Sequence, residues 1–128
     1  MLFRSFNVRL NGSSLPFAGT IEVMYQGVWG GVQGSGFVDI YVGHVVCRQL
    51  GFSGANRIFY RETFGKWKGP LWIWRMQCSG NEAKISDCAV TTWDNVTDRF
   101  RSAYYQKPNR AAGVLCNAAN SSTSFGRL

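Results

Sequence analysis

The sequence predicts an α+β domain in which short strands gather around one helix, and three observations support this. Several runs alternate apolar and polar residues with a period of two, the signature of half-buried strands. One stretch, Asp39 to Leu50, places Val42, Val46 and Leu50 on one side of a 3.6-residue period, with Cys47 beside them, and is followed by Gly51, a good helix stop. Four cysteines in a chain with 15 glycines fit a small, loop-rich fold, whether they serve as two disulfides, a metal site or four unrelated thiols.

In chain order, Val8 and Leu10 alternate with Asn7, Arg9 and Asn11 as a first strand, ending in the turn Asn11-Gly12-Ser13. Pro16 and Gly19 punctuate a loop. Thr20 to Tyr25 puts Ile21 and Val23 on one face and Glu22 and Met24 on the other, and Gln26-Gly27 turns it into a hairpin partner, Val28 to Val32, with Trp29 expected as a core anchor. Residues 33–37 form a turn into the helix. After Phe52 the chain is irregular and basic, with Arg57, Arg61, Lys66 and Lys68 among Phe59, Tyr60, Phe64 and Trp67, up to Gly69-Pro70.

Leu71 to Gln77 is the most strand-like run, with Leu71, Ile73 and Arg75 on one side and Trp72, Trp74 and Met76 on the other. Cys78 follows, and a single turn or short helix at Glu82 to Ser86 brings the chain back toward Cys88; closing such a loop covalently contributes about 2.5–3 kcal/mol in the chain-entropy model. Residues 89–110 are again irregular and basic, with Arg99, Arg101, Lys107 and Arg110 near Trp93, Phe100, Tyr104 and Tyr105. Ala111 to Cys116 is a buried closing strand, and the Ser/Asn-rich tail from Asn117 has the composition of a disordered segment.

The balance of 14 Lys+Arg against 7 Asp+Glu gives a formal charge of +7, and aromatics make up 15% of the chain. Such a surface suits polyanions, whether nucleic acid, sulfated sugar, anionic lipid or acidic protein; the bland alternative is charge that only keeps the domain soluble. Three Asn-x-Ser/Thr sequons, at Asn11, Asn95 and Asn120, point to a secreted glycoprotein. No run approaches the roughly 20 apolar residues of a membrane span. Residues 1–6 are too short and interrupted for a secretory signal, so the expectation is a module of a longer precursor or a mature form.

Catalytic and metal chemistry find little support. There is no Gly-x-Ser-x-Gly string and no carboxylate pair in an apolar setting, and the lone histidine, His44, reads as a surface helix residue, so no enzyme is expected. Nor is there a Cys-x-x-Cys pair; His44 is three residues from Cys47, but the other cysteines are distant, which disfavours zinc and leaves free thiols or disulfides. No zinc-finger, helix-turn-helix or ribonucleoprotein motif supports dedicated nucleic-acid binding.

Five segments taken together are informative: Val8-Arg9-Leu10-Asn11-Gly12, Gly27 to Val32, Val45-Val46-Cys47-Arg48-Gln49-Leu50-Gly51, Cys78-Ser79-Gly80-Asn81-Glu82 through Cys88, and Ala112-Gly113-Val114-Leu115-Cys116. In this order and spacing they closely resemble the scavenger receptor cysteine-rich (SRCR) domain over about residues 7–117, leaving 1–6 and 118–128 as flanking tails. The resemblance implies a small, curved antiparallel sheet cradling one helix, with long irregular loops and two disulfides, Cys47–Cys116 and Cys78–Cys88. It also implies an extracellular, non-enzymatic module without a cofactor.

Two departures from the family pattern qualify this. A further family cysteine falls at Gln33, and its partner would fall between about Trp93 and Lys107; both are missing, so packing by Phe37, Phe100 or Tyr104 is expected to fill the space. Calcium-binding members carry acidic residues where this chain has Gly34, Ser35, Trp74, Arg75, Arg110 and Ala111, so no metal site is expected. The first expectation for function is recognition of polyanionic or protein ligands by the basic residues Arg57, Arg61, Lys66, Lys68, Arg75, Arg99, Arg101, Lys107 and Arg110. The alternative is a structural or adhesion unit whose aromatic surface packs on itself or on neighbouring modules in a matrix, filament or larger receptor.

Overall fold

The structure is a computed structural model that describes residues 7–34, 38–60, 63–65, 69–92 and 111–117. Among these, seven strands, one α-helix and one short 3-10 turn follow in order: β1 (Val8–Asn11), β2 (Ala18–Tyr25), β3 (Val28–Val32), α1 (Ile40–Gln49), β4 (Ala55–Phe59), β5 (Leu71–Gln77), the 3-10 turn Ile85–Asp87, β6 (Ala89–Thr92) and β7 (Gly113–Cys116).

The strands form one sheet in the order β4-β7-β2-β3-β5-β6, with β1 also paired to β2. The eight-residue β2 organises it. Its first half pairs with β7, Ala18 facing Leu115 and Thr20 facing Gly113; its second half pairs with β3, Val23 facing Gly30; and β1 runs along it with Val8 facing Val23 and Arg9 facing Glu22. These pairs are antiparallel, whereas β3 and β5 are parallel, a departure from an antiparallel sheet. Parallel neighbours need a long crossover, and the chain between Val32 and Leu71 supplies it, carrying α1 and β4 on the way.

The inner face of the sheet and α1 enclose the core, which gathers Ile21 and Val23 of β2, Val32 of β3, Ile73 and Met76 of β5, Val114 of β7, and Val42, Val45, Val46 and Cys47 of α1. The helix boundaries follow from local chemistry. The Asp39 carboxylate accepts from the N–H groups of Tyr41 and Val42, satisfying donors that would otherwise be orphaned. At the other end Gly51 adopts φ +99°. Its N–H then bonds Arg48 O and the N–H of Phe52 bonds Cys47 O, a Schellman closure.

Three further features differ from the sequence expectation. β4 and β6 fall in segments expected to be irregular; both are edge strands, and β4 buries only Ala55 fully while exposing Asn56 and Arg57, so neither shows the alternation of an interior strand. In β5 a register shift between Ile73 and Arg75 breaks strict alternation, so Ile73 and Met76 both enter the core while Arg75 is exposed. Finally, Trp29 is half-buried and stacks with Arg9, and it is Trp72 that anchors the core edge: its indole covers Gly30, where any Cβ would overlap it, and its N–H donates to Val28 O at 2.8 Å.

Both implied disulfides are present. Cys47–Cys116 joins α1 to β7 across 69 residues, and Cys78–Cys88 closes a loop of 10. The chain-entropy model assigns about 4 kcal/mol to the longer loop and about 3 kcal/mol to the shorter. Paired Cys→Ser variants are therefore expected to separate in urea denaturation, Cys47→Ser/Cys116→Ser losing more stability than Cys78→Ser/Cys88→Ser. Equal midpoints would contradict that order.

Candidate functional site

The C-terminal half of α1 holds the rest of the fold through consecutive side chains. Cys47 bonds Cys116. Arg48 Nη2 donates to Gly80 O and, at 3.0 Å, to Glu82 O. Gln49 Oε1 accepts from Ile85 N–H at 2.9 Å. One turn earlier, His44 Nδ1 accepts the N–H of Ala55 at 3.0 Å. His44 is thus half-buried and orients the entry to β4, where the sequence had suggested a surface helix residue.

Within the small disulfide loop, the Glu82 carboxylate turns back onto the chain and accepts the N–H groups of Ser79 at 2.9 Å and Gly80 at 3.0 Å. The Ser79 backbone bond above all, with that of Gly80, holds the Glu82 carboxyl below its ordinary range. Cys78, Glu82 and Cys88 bring ligand-type atoms within 4.8 Å of one another. Both sulfurs are consumed in the disulfide and the carboxylate is occupied by backbone donors, so the cluster is a structural loop.

The sheet face away from α1 carries different chemistry. Ile58 on β4 reaches toward Gly43 of α1, so its neighbours Arg57 and Phe59 point outward. Arg57 is exposed, with its guanidinium 5.1 Å from the centre of the Phe59 ring, and Phe64 packs edge-on to Phe59 at 5.3 Å. On β1 and β2, Arg9, Asn11 and Glu22 lie opposite the core residues Val8, Leu10, Ile21 and Val23. Glu22 is wholly buried; Arg9 Nε donates to its Oε1 at 2.7 Å and Asn11 Nδ2 to its Oε2 at 2.9 Å. The Arg9 guanidinium also lies 4.2 Å from the centre of the Trp29 ring. Sequence reasoning assigned no role to Arg9, although alternation already placed it and Glu22 on the non-core faces of adjacent strands.

Of the basic residues expected to bind ligand, Arg57 on β4 and Arg75 on β5 are exposed, and the sheet order places these strands apart, β4 at one edge and β5 next to the other. Arg61, Lys66, Lys68, Arg99, Arg101, Lys107 and Arg110 lie outside the described residues, as do the sequons at Asn95 and Asn120 and the expected space-fillers Phe37, Phe100 and Tyr104. Asn11 is exposed, with its side-chain nitrogen engaged by Glu22.

At the missing family cysteine, the Gln33 side chain is itself 0% exposed, and neither its Nε2 nor its Oε1 has a hydrogen-bond partner among the described residues. Next to it, Gly34 and Ala111 are buried and offer no side-chain oxygen, so these positions do not fit a calcium ion.

A curved sheet with one helix in its hollow, fastened by a helix-to-strand disulfide and a small cystine loop, defines a class of extracellular binding modules. The match to the family model of the scavenger receptor cysteine-rich domain covers residues 11–117, and the chain belongs to that family. It is 38% identical over 90 residues to the bovine macrophage scavenger receptor types I and II, covering 70% of this chain and 20% of that protein, so it spans about a fifth of that relative's length. Among solved structures, it resembles the third SRCR domain of murine neurotrypsin at TM-score 0.72 and 29% identity, covering 91% of this chain and 100% of that one. It also resembles the dimeric form of the SRCR domain of mouse MARCO at TM-score 0.63 and 26% identity, covering 91% and 93% respectively. No helix among the described residues is long and apolar enough to cross a membrane.

Two outcomes are expected. Because the folded Glu82 carboxyl lies below its unfolded value, its contribution to stability is complete above the unfolded value and is lost as pH falls through the folded one. Glu82→Gln should therefore lose less stability than wild type between neutral pH and about pH 3 when urea midpoints are compared; parallel losses would refute the assignment. Gln33→Met removes two polar atoms that are unpaired among the described residues, at nearly constant volume, and should raise stability by about 1–3 kcal/mol. A drop in melting temperature would show that the amide is satisfied.

Proposed function

We propose that residues 7–117 act as an extracellular binding module that takes polyanionic or protein ligands by direct contact with arginine and lysine, without calcium. The observation that carries this reading is Arg57, an exposed guanidinium lying over Phe59 on the outer face and free of any ion pair among the described residues. Stacking on a ring fixes the plane of the guanidinium while leaving its N–H edge able to grip sulfate, phosphate or carboxylate bidentately. Arg75 adds a second exposed guanidinium, without an ion pair among the described residues. The formal charge of +7 supplies long-range attraction, and ten of the 14 basic residues lie between Arg57 and Arg110.

A second reading, self-assembly, is favoured by the exposed aromatics Tyr41 and Tyr60, at 51% and 42%, and by the dimeric form in which the MARCO domain is described. Sedimentation of the isolated domain separates the two readings, since a monomer at high concentration speaks against assembly.

Retention on immobilised heparin should exceed that of a neutral domain of the same size, weaken as salt rises and be unchanged by chelator. Arg57→Ala/Arg75→Ala should elute at lower salt, with the slope of log affinity against log salt reduced by about one to two. Wild-type retention no better than that of the neutral control overturns the proposal.

A further inference from the structure

We infer that Arg9, clamped between Glu22 and Trp29 on the outer face of the sheet, is a preformed receptor for a sulfate group of a sulfated glycan. This rests on the reading of the domain as a polyanion-binding module and assigns one of its contacts to a residue outside the basic loops.

The geometry separates the two ends of the guanidinium. Nε is committed to the buried Glu22 carboxylate at 2.7 Å, while Asn11 holds the other carboxylate oxygen. The guanidinium carbon lies 4.2 Å from the centre of the Trp29 ring. These two contacts seat the group between a carboxylate and a ring, yet the side chain remains 47% exposed. Nη1 and Nη2 have no hydrogen-bond partner among the described residues, so their N–H donors are left on an ordered, half-exposed fork. Ordering a long side chain is one of the costs of binding, and here the fold has already met it. Two parallel N–H donors match two oxygens of a tetrahedral or planar oxyanion.

Glu22 repels an incoming anion but does not cancel the site. It contacts the Nε side, whereas the anion would meet the Nη edge, and Coulomb energy falls with distance. The nearer guanidinium therefore outweighs the more distant carboxylate. Because the Arg9–Glu22 pair is locally neutral, the site adds directional hydrogen bonds more than net charge, which favours a group of fixed shape over a diffuse polyanion. Beside the fork stand the half-buried Trp29 ring and Met24, its cross-strand partner. The C–H bonds of a pyranose ring can lie along that apolar surface while its sulfate enters the fork. An aspartate or glutamate side chain of a peptide offers no such flat apolar body, so the sulfated sugar is the better fit.

The test uses the wild-type, disulfide-intact domain labelled with nitrogen-15 and titrated with a heparin-derived tetrasaccharide, with its desulfated form and with oligoglutamate of equal charge. The Arg9 Nε–H and Trp29 indole N–H resonances should shift and saturate together with the sulfated tetrasaccharide and stay still with the other two. Shifts confined to other arginines would overturn the site while leaving the polyanion reading intact, and an equal response to oligoglutamate would overturn the sulfate assignment. Absence of any binding to the sulfated sugar would sink the proposed function as well.

A variant pair guards against misfolding. Arg9→Gln/Glu22→Gln removes both charges, so neither is stranded in the interior, and should weaken tetrasaccharide binding about tenfold, the loss expected for a charge-assisted hydrogen-bond pair. Arg9→Lys keeps the charge but not the fork and should fall between the double variant and wild type. Wild-type affinity in the folded double variant would refute the inference.

Discussion

The constraint on which this domain depends is the attachment of one short helix to distant parts of the chain through adjacent residues. Cys47, Arg48 and Gln49 reach Cys116, the Gly80–Glu82 backbone and Ile85, and His44 reaches the start of β4. A ten-residue helix is marginal alone in water. Here it is stable because its valines bury against the sheet and its polar side chains satisfy backbone groups that lack strand partners. The long disulfide adds a covalent tie that limits the unfolded ensemble.

The two faces of the sheet therefore do different work. The inner face is apolar and ends at α1. The outer face holds a polar layer, including the wholly buried Glu22 and Gln33, and above it guanidinium groups paired with rings, Arg9 with Trp29 and Arg57 with Phe59. Burying a carboxylate is costly unless it is paired and hydrogen-bonded, and Glu22 meets both conditions through Arg9 and Asn11. The arginine that satisfies it is itself held against the Trp29 ring.

Much of this was legible in the sequence. The helix ends follow from Asp39 and Gly51, the hairpin from Gln26-Gly27, and the cysteine pairing from the likeness of the Cys47 and Cys78 segments to a known domain. What escaped prediction depends on contacts between segments. β4 and β6 are edge strands whose short or polar sequences acquire strand geometry only from their neighbours β7 and β5. Trp29 and Trp72 look equally suited to a core; the absence of a side chain at Gly30 decides which indole settles there. His44 gains its role only once Ala55 is brought against α1.

The position of β7 has a consequence for how the chain is made. The last strand of the domain lies between β2 and β4, two strands formed from its first half. Until residues 113–116 have left the ribosome, both of those strands present open edges of unpaired N–H and C=O groups, and Cys47 has no partner. Exposed edges invite pairing with other chains. The nascent domain thus carries open strand edges and an unpaired Cys47 until its last strand arrives, and the Cys47–Cys116 bridge can close only after that, under oxidising conditions.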